Sequence, residues 1–499
     1  MRQLTQTEIQ SLESQRCWAE DWNKIIVADD FSTANVRNTN FYGNIQIGSG
    51  VRLNDVKILK GSCKQSKPII VSVLNEGGDG NIVLCPQLTS QLTWLMIHYT
   101  QVFDLVSKEE ENRLNQVFSG ECATIIEDGA IIEGATKIVD SVIQSRKEVP
   151  TYIGPDVIMV KSVTAVGAEI TDGAKVYESF VGEAVHLGKG FSSEASVFFA
   201  NSYMDNGEAC AALCGPFSCS HHKSTLLIGG QFSFYNAGSN TNQSNHAYKM
   251  GPIHWGTLER GAKTASGCHI LWPAHIGVFS MVMGKITEHP CIQDLPFSYV
   301  IASHDKTYII PGINLKTVGT WRDVNKWPKR DARNVLARRD IVDFAFPNPY
   351  IIQFVAKGIS LLNSLVAEQG EHVEEYEFEG CYIKRKSLIK GLEYYDLAFQ
   401  LAGSAAPSEE WLDLCGMIAP RQDIEDLILD INDNILDSIE SIERKLVEIH
   451  NCNAARLNVE RDSIAYEEWL NMIREDAERE FQMGDVDESQ LSDFLDKVK

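Results

Sequence analysis

The sequence predicts a mainly β chain over residues 1–332, interrupted by a helical insertion at about 87–118, and an acidic α-helical domain over 333–499. Three observations predict it. Aliphatic residues recur at steps of six in the amino-terminal part, a helical period of 3.6 breaks into that pattern, and acidic residues crowd into the last part. From Ser408 to Lys499 there are 25 acidic and 9 basic residues, so this stretch carries −16 of the formal net charge of −23.

The opening MRQLTQTEIQSLESQ has no long apolar run and reads as an ordinary polar helix, and no stretch offers the roughly 20 apolar residues of a membrane span. Twelve cysteines scattered from Cys17 to Cys452 are too dilute for a disulfide scaffold. A cytoplasmic protein with no membrane partner is expected. The acidic balance also argues against nucleic acid, whose backbone is gripped by lysine and arginine.

The repeat begins at Ile47, with Leu53 and Leu59 at steps of six, and continues through Ile126, Ile132 and Ile138. Ile153, Met159 and Ala165 keep the step, Ile170 leads to Val176, and Val181 leads to Leu187. Each six-residue unit supplies one flat side of a triangular coil: the aliphatic points to the axis, and a glycine or small residue turns the corner. The phase breaks between Ala165 and Ile170 and between Val176 and Val181 predict bulged corners or loops. These repeats resemble the left-handed parallel β-helix of the hexapeptide acyltransferase and sugar-nucleotide transferase superfamily. The long multi-part chain resembles an uncharacterised bacterial family within it. The resemblance implies a β-helix over about residues 30–320 and a homotrimer with sites between subunits.

Between repeat blocks, Gln87 to Phe118 reads as one or two amphipathic helices, an insertion that can leave a coil at a corner. Beyond residue 333, Ile351 to Ala367, Lys386 to Ala402 and Glu409 to Met417 read as helices. Isoleucines 428, 435, 442 and 449 fall at heptad intervals, predicting a coiled-coil-like face paired with a following helix that bears Leu457, Ile464, Ile473 and Phe481. The acidic residues then form a solvated outer face or a docking surface for a protein partner.

Eight of the twelve histidines lie between His221 and His304. In acyltransferases that resemble this fold, a histidine acts as general base on the acceptor while the acyl group leaves coenzyme A, so acyl-CoA is the implied cosubstrate and a sugar or nucleotide-sugar the acceptor. The stretch GSNTNQSNHAYKMGPIHWG, residues 238–256, is the first choice for the site. It assigns His246 the base, Asn245 its orienting partner and His254 a second catalytic imidazole. Asn240, Asn242, Lys249, Trp255, Glu259 and Arg260 are the expected substrate contacts. Asparagine also favours left-handed corners for purely conformational reasons, which would explain part of the enrichment without chemistry.

Cys210, Cys214, Cys219, His221 and His222 offer zinc ligands, but not at the spacing of a common zinc knuckle, and cysteine is a good interior residue for a narrow coil. No metal is assigned. From Lys316 to Arg339, eight lysines and arginines stand against two aspartates. Lys326, Lys329 and Arg330 suit the phosphates of CoA or of a nucleotide diphosphate, with Trp327 available to stack on the base. The competing reading of this segment is a junction that pairs with the acidic domain. Two other functions stay open: a non-catalytic ligand-binding or scaffolding β-helix, and a nucleotidyltransferase-like sugar-nucleotide protein. The latter chemistry resides, in related proteins, in a Rossmann-like domain for which no Gly-x-Gly-x-x-Gly signal exists here.

Overall fold

An aliphatic residue every sixth position can reach a common axis only if the backbone turns a corner between successive short strands. The computed structural model, which describes residues 1–61, 67–118, 123–244, 253–403, 409–457, 463–483 and 487–498, has this form before residue 304. Twenty-eight strands make one large, mostly parallel sheet in a mixed α/β chain with a helical C-terminal region. Each strand of the regular part pairs with the third strand along. Tyr152–Ile153, Glu169–Ile170, His186–Gly188 and Tyr203–Asp205 stack as a first side. Ile158–Val160, Lys175–Tyr177 and Ser192–Glu194 stack as a second, and Val163–Thr164, Phe180–Val181 and Val197–Phe198 as a third.

The inward residues run Ile153, Met159, Thr164, then Ile170, Val176, Val181, then Leu187, Ser193, Phe198, all buried. The step is therefore six, six and five, and hydrogen bonds repeat at a separation of 17 residues. This corrects the expectation of bulges or loops: each phase break is the short side of a regular turn. The inward residue there is Thr164, while Ala165 faces a second apolar core outside the stack.

From residue 140 to residue 211 the corner before the third side is turned without glycine, and Gly229 takes it only at the following turn, at φ of 70°. Asp140, Lys161, Glu178, Ala195 and Ala211 occupy it at φ of 43°, 48°, 44°, 47° and 49°. Such a conformation costs an L residue about 1–2 kcal/mol. A column of buried serines offsets it. Ser162 and Ser179 each donate from the hydroxyl to the carbonyl two residues back, at 2.8 and 2.7 Å. Each also accepts from the backbone N–H of the next turn's serine, at 3.1 and 3.3 Å.

The helices, in chain order, are α1 (Gln6–Ser14), α2 (Ser90–His98), α3 (Thr100–Phe118), α4 (Val318–Lys326), α5 (Pro349–Gln369), α6 (Arg385–Ala402), α7 (Arg421–Asn432), α8 (Ile439–Asn453), α9 (Ile464–Gln482) and α10 (Glu488–Lys497). The insertion holds more than helix: an antiparallel hairpin, Ile69–Ser72 with Asn81–Leu84, precedes α2 and α3. Val163, Phe180, Val197 and Leu213, the outer row of the third side, are buried against Leu92 and Leu95 of α2, Val102 of α3, Leu427 of α7 and Ile442 of α8. An extended strap ties this cover down. Arg339 donates to the carbonyls of Pro86 and Gln87 at 3.0 Å each, and Asp340 accepts from the N–H groups of Ser90 and Ala200 at 2.8 and 3.1 Å.

The C-terminal region departs from the predicted pattern in three places. Residues 409–417 are not helical: Trp411–Leu414 and Met417–Pro420 form a hairpin, and Glu375–Phe378 with Cys381–Lys384 forms another. The isoleucine heptad does not make one long helix, because α7 ends at Asn432 and Ile435 lies in the turn at 65% exposure, while Ile428, Ile442 and Ile449 are buried. Two aspartates and two asparagines between residues 430 and 434 provide the stop, and Asn434 takes φ of 56°. Nor does α9 pair with α8. It packs on α4 and α6, and its Trp469 donates from the indole to the Leu315 carbonyl at 2.9 Å. Among the described residues, α5 is the one helix long and apolar enough to cross a membrane. Its Ile351, Val355 and Leu362 are fully buried in the main core, and Gly358 allows close approach, since a Cβ there would meet the Asp294 carbonyl oxygen at 2.5 Å.

Candidate functional site

Further along the stack the outer row of the third side changes character. Gln231, Thr257 and His275 stand in register where Val163, Phe180, Val197 and Leu213 stood before them. The cover parts over them. A cleft of 560 Å³ opens between these strands, the C-terminal end of α2, the start of α5 and the 411–420 hairpin.

His275 and Glu259 share the floor. Nε2 of His275 donates to Oε1 of Glu259 at 2.7 Å, the imidazole being 28% and the carboxylate 11% exposed. The other carboxylate oxygen accepts from the Tyr350 hydroxyl at 2.8 Å. Burial first, and the Glu259 carboxylate second, push the Tyr350 hydroxyl well above its ordinary value, so it remains a donor. With Nε2 bonded to the carboxylate, the neutral form of the His275 ring has its lone pair on Nδ1. Two further groups of the lining, the Ser233 hydroxyl and the Trp411 indole N–H, are buried and have no hydrogen-bond partner among the described residues. Leaving a buried donor unpaired costs about 1–3 kcal/mol. The arrangement supplies a tautomer-fixed imidazole, an anchored carboxylate and a spare donor, which is the equipment for taking a proton from a hydroxyl and stabilising an oxyanion.

The residues singled out from sequence divide among several places. Asn245, His246 and Lys249 lie outside the described residues. Trp255 and Glu259 line the cleft. Arg260 does not: its guanidinium pairs with Asp413 at 2.8 Å, donates to the carbonyls of Asp343 and Gly416 at 2.6 and 2.9 Å, and covers the Phe234 ring at 4.4 Å. It joins the stack to the hairpin, and at 3% exposure it is buried there. Asn240 turns a corner at φ of 57°, and Asn242 sits in the second side, level with Leu226 and His269. His254 is half-buried and stands one residue before Trp255.

The basic segment is elsewhere. Lys326, Trp327 and Arg330 line a different cleft at the corner leading into the first side, and Lys329 is exposed outside it. Trp327 is 7% exposed and packs edge-on to Phe234 at 4.7 Å, so its indole belongs to the core and is not a platform for a base. Of the cysteines weighed as zinc ligands, Cys214 is fully buried inside the stack, Cys210 faces Glu76 at 3.6 Å, and Cys219 lies 3.0 Å from Nδ1 of His221. Among the described residues no group of three or more histidines, cysteines or carboxylates is placed to hold a metal ion.

His275 belonged to the histidine cluster, but the sequence held no sign that it faces Glu259. The two are neighbours only because they lie one turn apart on one side, and Tyr350 arrives from a helix beyond the stack. A family model described as a domain of unknown function (DUF4954) matches residues 1–70 and 44–366. Another, also described as a domain of unknown function (DUF6819), matches residues 397–459. No curated protein matches the chain. His275, Glu259 and Tyr350 fall in the first match and Trp411 in the second, so the cleft lies where the two segments meet.

Proposed function

We propose that this chain, which belongs to the DUF4954 family of domains of unknown function, is a group transferase on a left-handed parallel β-helix that moves an acyl group from acyl-CoA to a hydroxyl of a sugar or nucleotide-sugar. The observation that carries the reading is the Glu259–His275–Tyr350 constellation in a cleft lined by both aromatic and polar side chains. His275 takes the acceptor's hydroxyl proton on Nδ1 as the oxygen attacks the thioester carbonyl. The C–S bond then breaks, the C–O bond of the ester remains on the sugar, and the proton passes from His275 to the CoA thiolate. The Trp411 N–H is the donor for the charge that builds on the carbonyl oxygen, and Trp255 is a wall for the sugar ring. The six, six, five aliphatic step, with parallel pairing three strands apart, supports the β-helix. A homotrimer of such coils has the first and second sides for its contacts, the third being covered by the chain itself.

The test is CoA release from acetyl-CoA, followed by mass spectrometry against a panel of sugars and nucleotide-sugars. We expect His275→Ala to lower turnover about 10²–10⁴-fold with the melting temperature unchanged. Release that is equal in variant and wild type, or absent with every acceptor, sinks the transferase and leaves the cleft to a non-catalytic ligand-binding or scaffolding protein.

A further inference from the structure

The second cleft, 720 Å³ in volume, lies between the first side of the stack and α4 with the turn that follows it. Lys189, Arg322, Lys326 and Arg330 line it against two carboxylates, Asp205 and Asp323. The carboxylates are at the wall, their side chains 0% and 1% exposed, while those of Lys189 and Arg322 are 57% and 61% exposed. Asp323 alone is shared by Lys326 at 2.6 Å, Arg322 at 3.8 Å and Lys263, which also contacts it. One negative charge therefore faces three positive ones. Asp205 is divided in the same way between Lys189 at 2.6 Å and Nε2 of His186 at 3.3 Å. Arg330 is exposed and has no ion-pair partner among the described residues. Packing this many cations into one concavity of a chain with net charge −23 leaves a local positive excess, and like charges so close repel unless an anion joins them.

An aromatic surface stands beside the cations. Tyr203, 41% exposed, stacks on His186 with centroids 4.4 Å apart, and His221 meets it edge-on at 6.3 Å. Asp205 and Glu169, at 3.3 and 3.6 Å, hold the His186 ring beneath it. A rigid exposed ring next to several cations matches a ligand with a planar base and phosphates, because base stacking and guanidinium–phosphate pairing act on adjoining parts of one molecule.

We propose that this corner cleft is a binding site for a nucleoside diphosphate group, its phosphates held by Lys189, Arg322, Lys326 and Arg330 and its base stacked on Tyr203. CoA and nucleotide-sugars share that group. The proposal does not require acyl transfer at His275, since the dyad stands on a different side of the stack.

Equilibrium dialysis at fixed ionic strength, using ADP, CoA, a UDP-sugar and inorganic pyrophosphate as separate probes, tests it. Arg330→Ala and Lys326→Met each weaken ADP and pyrophosphate binding about tenfold or more, and Arg330, exposed and without an ion-pair partner among the described residues, is replaced at little cost to folding. Tyr203→Ala weakens ADP but not pyrophosphate. Tighter binding of CoA than of the UDP-sugar names the former as the natural source of the group, and the reverse names the latter. His275→Ala binds ADP as the wild type does even where its turnover is lost, which separates this proposal from the transferase. Absence of binding at millimolar probe, unchanged affinity in the charge variants, or loss of binding in His275→Ala would overturn it.

Discussion

The second and third sides of the stack are built from the same backbone ladder and both turn buried residues to the axis, yet one faces solvent and the other disappears under the rest of the chain. The outer row of the second side includes Lys175, Ser192 and Glu208, of which Lys175 and Glu208 are exposed. The outer row of the third side is Val163, Phe180, Val197 and Leu213. Inward residues make the coil; outward residues decide what it touches. The candidate site lies where the apolar outer row gives way to Gln231, Thr257 and His275, so that the cover parts and polar groups meet inside it.

If the outer row of the third side is a true core, truncation there must cost as much as truncation inside the coil. Phe180→Ala, outside, and Phe198→Ala, inside, should each lower stability in urea unfolding by about 3–5 kcal/mol. A cost below about 1 kcal/mol for Phe180→Ala would mean that the cover is only loosely applied.

A smaller effect sharpens the role of the strap. Glu183 is buried beneath it, close to Asp340 and Arg333, and accepts from the Arg339 N–H at 2.5 Å. Burial, then the neighbouring Asp340 carboxylate, push its carboxyl up to about 7. The folded state thus holds this proton more tightly than the unfolded chain. The contribution is complete below the ordinary value of 4.5 and is lost as pH rises through about 7. Stability measured from pH 5 to 8 should fall with rising pH, and Glu183→Gln should flatten that slope. An unchanged slope assigns the dependence to another group.

The smallest effect belongs to the exposed corner between the two sides. Lys161 and Glu178 pair at 2.9 Å with both side chains 42% exposed, and Lys161→Ala should change stability by no more than about 0.5 kcal/mol. A loss comparable to that of Phe180→Ala would erase the contrast between the two sides.

Much of the coil was legible because an axis selects one residue per side, and Ile153, Met159, Ile170, Val176 and Leu187 advertise it. Its third side was not, because the inward Thr164 has no aliphatic signature and the five-residue side breaks the count; Ser193 hides the step on the second side in the same way. The serine column was equally hidden. Serine at a corner and serine on a surface look alike until the partners are known. In the site, Glu259 and Trp255 were reached through their nearness to a histidine-rich stretch, but the same nearness drew in Arg260, whose partners come from residues 343, 413 and 416.

The sequence by itself determined the periodic parts: an inward aliphatic step, a helical interruption, an acidic helical end and a basic segment. These follow from near-neighbour spacing, which each local window contains. Tertiary structure decided which side of the coil the chain would cover, where the isoleucine heptad would be cut, and that His275, Glu259 and Tyr350 would meet. Those outcomes depend on contacts between residues tens to hundreds of positions apart, which form only when buried area and hydrogen bonds outweigh the entropy of bringing the segments together, and no local pattern records that balance.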